Sequence, residues 1–238
     1  MMESRLTTAQ RLYRNGGSKA VVALTLKRLI RPIATVGSMY FLERHLNVPM
    51  PQLQPMNGID VREGTLSDVP LLNAMENAGP RKDQAVQRLK QGDRWFIGIE
   101  KPSGKLTNYR WVSLTRGFIP ELNRDLVLKP GEAYVYDLET LPEFRRRGIE
   151  GITRQFTYNT LLNNYGVQRI VVYILADNRA SLQAGRQYLT AITRVWFMRV
   201  RGRVFTYAPQ NTRMPALAPS SAQSLHAALF ARSSNSLR

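Results

Sequence analysis

Apolar and polar positions along the chain change period several times, and each change marks an element. Residues 59–63 read as a short strand. Ser67 and Asp68 suit the start of a helix running through Met75, and 82–90 has the spacing of a second helix. Residues 94–100 and 109–114 read as two strands joined by a turn at Pro102, Ser103 and Gly104. A loop with Gly117 and Pro120 follows, ending at Lys129, Pro130 and Gly131. Next come a strand over 132–138, a helix from Gly148 to about Asn164, a strand over 169–175 and a helix over 179–188. Two closing strands, 195–200 and 204–207, flank a tight turn at Arg201 and Gly202. Strands that first meander and are then separated by helices predict an α+β domain.

The flanks differ from this middle. Residues 18–31 place Val21, Val22, Leu24, Leu26, Leu29 and Ile30 among Lys19, Lys27, Arg28 and Arg31, a basic helical stretch that stops at Pro32. A second stretch, 34–46, holds Met39, Tyr40, Phe41 and Leu42 ahead of His45 and is taken into the same helical arm. Pro49, Pro51 and Pro55 then mark an extended linker. The expected division is a basic helical arm and linker over 1–57, a folded domain over 58–208 and a mobile tail over 209–238, rich in Pro, Ser and Ala. The arm has two readings: packed on the domain with its cations in water, or lying through residues 18–31 on an anionic membrane surface.

Charge changes the picture more than apolar content does. The chain has 238 residues, enough for one domain with terminal extensions, and its hydrophobic content of 43% is that of a globular protein. Lys and Arg number 34 against 17 Asp and Glu, a net charge of +17, so the surface attracts phosphates and anionic lipid. No recognition-helix or RNP-like signature accompanies that charge, and no specific nucleic-acid partner is expected. The absence of cysteine excludes disulfides and thiolate chemistry, and no metal site is expected. The apolar runs fall short of the about 20 residues of a membrane span, and no clean signal peptide opens the sequence. A cytoplasmic location, with possible peripheral membrane contact, is the expectation.

The stretch from Glu132 to Gly151 carries the candidate chemistry. A strand runs to Leu138 and ends by Pro142. The chain then turns through Arg145, Arg146, Arg147 and Gly148 directly into a helix. A helix N-terminus presents unpaired amides and partial positive charge, and three arginines stand beside it. Gly148 permits close backbone approach to a phosphate, and Gly151 leaves the first helical turn without a side chain. The same residues also suit a basic surface loop with two incidental glycines.

The run Pro142-Glu-Phe-Arg-Arg-Arg-Gly-Ile-Glu-Gly151 resembles the pyrophosphate-binding motif of the GNAT superfamily of N-acetyltransferases. Arg145 and Gly148 match that pattern. Glu150 stands where Gly or Ala is usual, with glycine one place later. Downstream, Ile170 to Ser181 resembles the next strand and helix of the family, in which an Asn, here Asn178, begins a helix beneath the cofactor.

The resemblance implies a mostly antiparallel twisted sheet flanked by helices, and acetyl-CoA or another acyl-CoA as co-substrate. Leu138, Glu139 and Thr140 would bond its pantetheine arm, and Arg145, Arg146, Arg147, Gly148, Ile149 and Gly151 its pyrophosphate. It implies transfer to a primary amine of a small-molecule acceptor, with Glu132 as candidate base. The Tyr that often follows the Asn by seven places is Gly185 here, leaving Tyr188 as a weaker candidate acid. The alternatives are a CoA-binding regulatory module without chemistry, and a membrane-associated acyltransferase acting on a lipid-linked acceptor. Strand alternation would set Glu132, Tyr134 and Tyr136 on one face and Asp137 on the other.

Overall fold

The computed structural model describes residues 34–51, 53, 56–75, 78–201, 203–209 and 215–219. The helical stretch expected over 18–31 lies outside the described residues, as does most of the expected tail.

Residues 34–45 are not part of a helical arm. They form strand β1 (Ala34–His45), which pairs antiparallel with β8 (Arg169–Leu175) on one side and β9 (Thr190–Val200) on the other. The continuous apolar run that suggested a helix reflects burial on both faces of an interior strand, where the period of two disappears. Met39 and Phe41 join one core, while Leu42 joins the core on the opposite face. Gly37 is required there, because a Cβ would lie 2.5 Å from Cζ of Phe197. The folded domain therefore begins at or before Ala34 rather than at residue 58.

The remaining elements are β2 (Ile59–Gly64), a 3-10 segment (Leu66–Ala74), helix α1 (Ala78–Lys90), β3 (Arg94–Glu100), β4 (Lys105–Ser113), β5 (Arg116–Ile119), β6 (Arg124–Val127), β7 (Glu132–Thr140), helix α2 (Ile149–Tyr165), helix α3 (Arg179–Gly185), β10 (Arg203–Tyr207) and β11 (Leu217–Pro219). Eight strands form one sheet in the order β10-β9-β1-β8-β7-β4-β3-β2, and β11, β6 and β5 form a smaller one. Pairing is antiparallel throughout except between β7 and β8. This is the mixed α+β architecture expected, a mostly antiparallel sheet flanked by few helices.

Two further differences have local causes. Four-residue strands β5 and β6 occupy what reads as a loop, since their turn signals outweigh so short an alternation. Residues 217–219, expected in the mobile tail, pair with β6 through Leu217 and Leu126. The helix expected from Ser67 is instead the 3-10 segment, opened by a capping box between Thr65 and Asp68 and holding Pro70 inside it.

Both faces of the large sheet are covered. One core gathers Phe96, Val112, Val135 and Val172 under α2, through Tyr158 and Leu161. On the other face, Trp95, Ile97, Tyr109 and Trp111 pack with Val69, Leu72 and Ala85 from the 3-10 segment and α1, while Tyr134 and Val171 pack with Ile119 and Leu126 of the small sheet. Gly117 lets β5 approach, since a Cβ there would lie 2.3 Å from the Tyr134 ring.

Candidate functional site

Strands β7 and β8 pair only from Glu132 to Tyr134 against Arg169 to Val171. Beyond that point they separate, and a cleft of about 810 Å³ opens between them. Among the described residues, the edge of β7 that faces the gap has no strand partner past Tyr134, while its other edge stays bonded to β4 as far as Thr140. Leu138, Glu139 and Thr140 line the cleft along this free edge. An extended chain carrying amide groups could add to it as a strand does.

A bulge aims this segment. Tyr136 pairs with Trp111 and Glu139 with Tyr109, so two residues, Asp137 and Leu138, stand opposite Arg110 alone. Asp137 takes a φ of 47°. The extra residue resets the alternation. Asp137 therefore does not point away from the face carrying Tyr134 and Tyr136: Arg88 lies 5.0 Å over the Tyr136 ring and donates to Asp137 Oδ2 at 2.5 Å.

At the end of the free edge, the chain turns into α2. Arg145 Nε donates to Thr140 O at 2.9 Å, folding the turn back on the strand. Arg146 and Gly148 have positive φ, 62° and 78°, with ordinary residues between and beside them. Alternation of this kind makes successive amides converge into an anion-binding concavity. Among the described residues, the amides of Arg146 to Glu150 have no backbone partner, and no side chain caps the helix. These features fit a pyrophosphate. Met56 and Leu53 of the linker pass 3.6 Å from where Cβ atoms of Gly148 and Gly151 would be, an ordinary contact distance, so it is the φ of 78° at Gly148 and not packing that favours glycine there.

Glu150 turns its carboxylate away from these amides. Arg110 Nη2 meets it at 3.0 Å and Arg154 Nη1 at 2.5 Å. Arg154 in turn lies 3.7 Å over the ring of Tyr188, which lines the cleft with Asn178, the N-cap of α3. Burial, then the nearby Glu150, raises Tyr188 above the usual phenol range, so its hydroxyl keeps its proton at neutral pH.

The opposite side of the cleft is acidic and aromatic. Tyr134 stacks on Tyr136 at 5.2 Å and on Tyr173 at 6.2 Å. Burial raises all three, and Tyr109 with them, so they act as donors. Tyr136 donates to Asp93 at 2.6 Å, and Tyr173 to Glu121 at 3.0 Å. Arg81 holds Glu139 at 3.1 Å. Six carboxylates line the cleft; Asp137 is paired with Arg88, Glu139 with Arg81, and Glu150 with Arg110 and Arg154, while among the described residues Asp93, Glu121 and Asp125 have no arginine partner.

Glu132 is not brought to the cleft. It sits at the far end of β7, accepting from Arg169 Nη1 at 2.6 Å and from the Lys129 amide at 3.0 Å. Burial pushes its carboxyl up, but the amide and Arg169 more than offset this and hold it below the ordinary value. Leu138, Glu139, Thr140, Asn178 and Tyr188 line the cleft, while Arg145, Arg146, Arg147, Gly148, Ile149 and Gly151 form the turn beyond it. The sequence pattern sets Tyr134 and Tyr136 on one strand face as packing residues and does not single out Tyr109, Arg110 or Tyr173; the signal for Tyr109 and Arg110 was a polar run, Thr107 to Arg110, inside an otherwise apolar strand.

The overall fold has counterparts among solved structures. A GCN5-related N-acetyltransferase from Sphaerobacter thermophilus superposes with a TM-score of 0.50 at 15% identity, covering 84% of this chain and 60% of that one. A tandem GNAT protein from the clavulanic acid biosynthesis pathway gives 0.51 at 14% identity, covering 83% and 72%. The fold is that of the GCN5-related N-acetyltransferases. No protein-family model matches the chain, and no curated protein matches it by sequence. The GNAT fold thus rests on geometry, with this chain spanning three-fifths of the length of the Sphaerobacter protein.

Among the described residues, no group of three or more His, Asp or Glu is placed to hold a metal ion, and no helix is long and apolar enough to cross a membrane.

Proposed function

We propose that this chain is an acyl-CoA-dependent N-acyltransferase that moves an acetyl or longer acyl group to a primary amine of a small cationic acceptor. The observation that carries the reading is the continuity of the free β7 edge with the unpaired amides of Arg146 to Glu150. A ligand with an extended amide arm and a pyrophosphate would use both at once.

The co-substrate supplies the thioester. The amine nitrogen bonds to the acyl carbon as the carbon–sulfur bond breaks, the amine loses a proton and the thiolate gains one. Leu138 to Thr140 hold the arm in register, and Arg145 to Gly151 hold the phosphates. On the acceptor side, Asp93 and Glu121 have tyrosine partners and, among the described residues, neither they nor Asp125 has an arginine, which favours an ammonium-bearing substrate and gives its proton somewhere to go. Tyr188 is the proposed proton donor to the thiolate. Glu132, tied to Arg169 outside the cleft, is not proposed as the base.

Calorimetric titration with acetyl-CoA should show saturable binding, weakened in Gly148→Val, whose side chain would enter a turn of φ 78°. Thiol release across an amine panel should drop roughly 100-fold in Tyr188→Phe without a change in CoA affinity. The absence of binding to any acyl-CoA overturns the reading. Gly185 in place of the usual Tyr favours a second reading, a CoA-binding module without chemistry. Binding without thiol release from any amine supports that one instead.

A further inference from the structure

The free end of the large sheet carries an apolar surface that none of the three cores absorbs. Cross-strand pairing aligns Val36, Met198 and Phe205 in one row, and Ser38, Trp196 and Tyr207 in the next. These rows share a face, since each strand contributes every second residue. Val36 is 50% exposed, Trp196 38%, Met198 41%, Phe205 55% and Tyr207 65%, five of the eleven large exposed hydrophobics among the described residues. Trp196 and Tyr207 lie 5.8 Å apart, side by side at the surface. Clustering of this kind on a soluble face marks a contact surface.

The charges on this end identify the contact. Arg194 stands on the same face, 4.8 Å over the Trp196 ring, anchored to Ser38 Oγ at 3.0 Å. Arg203 precedes Phe205 by two places and shares its face, and Arg201 stands in the turn that joins the two strands. No Asp or Glu occurs over 34–42 or over 190–209. A second copy docked here two-fold would set these arginines against their own images without a counter-charge. The chain's own 18–31 segment is a poor cover, because Lys19, Lys27, Arg28 and Arg31 repeat the sign. Amphipathic aromatics beside Arg194 and Arg203, on strand segments that carry no acid over 34–42 and 190–209, suit the headgroup layer of an anionic bilayer.

We propose that the β10-β9-β1 face seats on a membrane carrying anionic lipid. Trp196, Phe205 and Tyr207 enter the headgroup layer, and Arg194 and Arg203 meet lipid phosphates.

The test uses the full chain with vesicles of phosphatidylcholine alone and of phosphatidylcholine mixed with phosphatidylglycerol. Trp95 and Trp111 are 0% and 2% exposed, so Trp196 is the indole that reports contact. Its emission should shift to the blue on the anionic vesicles and be quenched by brominated lipid. Phe205→Ser with Tyr207→Ser should weaken flotation at least about 10-fold, with thermal unfolding unchanged because both side chains are exposed. Arg194→Gln with Arg203→Gln should flatten the dependence on phosphatidylglycerol and on salt. An unmoved Trp196 emission, or full flotation of the Phe205/Tyr207 variant, overturns the proposal. A dimer in solution that the same variant dissociates also overturns it, assigning the face to self-association. Loss of flotation solely in Lys27→Gln with Arg28→Gln and Arg31→Gln would assign binding to the arm and overturn the role of the sheet.

Discussion

Arg110 and Glu150 meet at 3.0 Å between β4 and the first turn of α2, and the arginine, 1% exposed, also donates to the Glu150 carbonyl at 3.1 Å. A carboxylate in a turn proposed to hold an anion is an apparent contradiction, resolved by two arginines drawing it inward. Glu150 is thus a structural counter-ion that fixes the start of the helix and leaves its amides open.

Glu150→Ala should therefore destabilise the fold, although it restores the small residue usual in the motif. Removing it strands the guanidinium of Arg110, whose Nε and Nη1 already have no partner. The expected loss is about 2 kcal/mol, below the range for a fully buried pair because the Glu150 side chain is 39% exposed. Urea denaturation checks the loss. An unchanged midpoint would show that Arg154 and solvent suffice.

Acid should weaken the fold through Asp68. The Arg62 guanidinium, at 2.5 Å, and then the Thr65 amide and hydroxyl lower its carboxyl to about 2 against the offset of burial. A depressed folded-state value means that the stabilisation is complete above the unfolded value of about 4 and is lost as pH falls toward about 2. The contribution is at most about 2 kcal/mol, reduced by screening of the 39% exposed Arg62. Stability measured from pH 6 downward should fall less steeply in Asp68→Asn than in the native chain. Parallel curves would refute the assignment.

How much of this was readable beforehand depended on where each signal comes from. Strands Arg94–Glu100 and Arg169–Leu175 stand in the sequence as β-branched and aromatic runs bounded by turns, and both form over those limits. The turn at Arg145 to Gly148 was readable because its chemistry is local. β1 was not, since a run buried on both faces loses its period and its partners lie more than a hundred residues away. The bulge at Asp137 was hidden because a bulge is a relation between two strands. Nothing local marks Arg88 or Arg110 as buried, because the carboxylates that pair with them lie 49 and 40 residues away.

Glu132→Gln should lower stability without altering turnover. Its carboxylate ties Arg169 at 2.6 Å, and Arg169 in turn ties Glu43 of β1 at 2.6 Å, joining three strands at the end remote from the cleft. The amide keeps one acceptor but loses the charge, a cost of about 1 kcal/mol. Thermal unfolding and initial rates on one preparation separate the two effects. A rate falling 100-fold with an unchanged melting point would restore Glu132 to the chemistry.

Arg88→Met should cost more than any surface substitution. The guanidinium lies between the rings of Trp111 and Tyr136, at 5.1 and 5.0 Å, and pairs with Asp137 at the bulge. Methionine fills part of the slot but leaves Asp137, 31% exposed, with Tyr109 as its remaining donor at 3.4 Å. A loss of about 3 kcal/mol follows from breaking so buried a pair. Asp137→Asn alone should cost less, and the two together less than their sum, by about 1 kcal/mol or more. Additive losses would mean that Arg88 stabilises through the rings alone. The bulge would then owe its shape to the β4 pairing, and acyl-CoA affinity would be unchanged in both single variants. If the pair sets the bulge, both variants should bind acyl-CoA more weakly, because the bulge at Asp137 aims the free edge at Leu138 to Thr140.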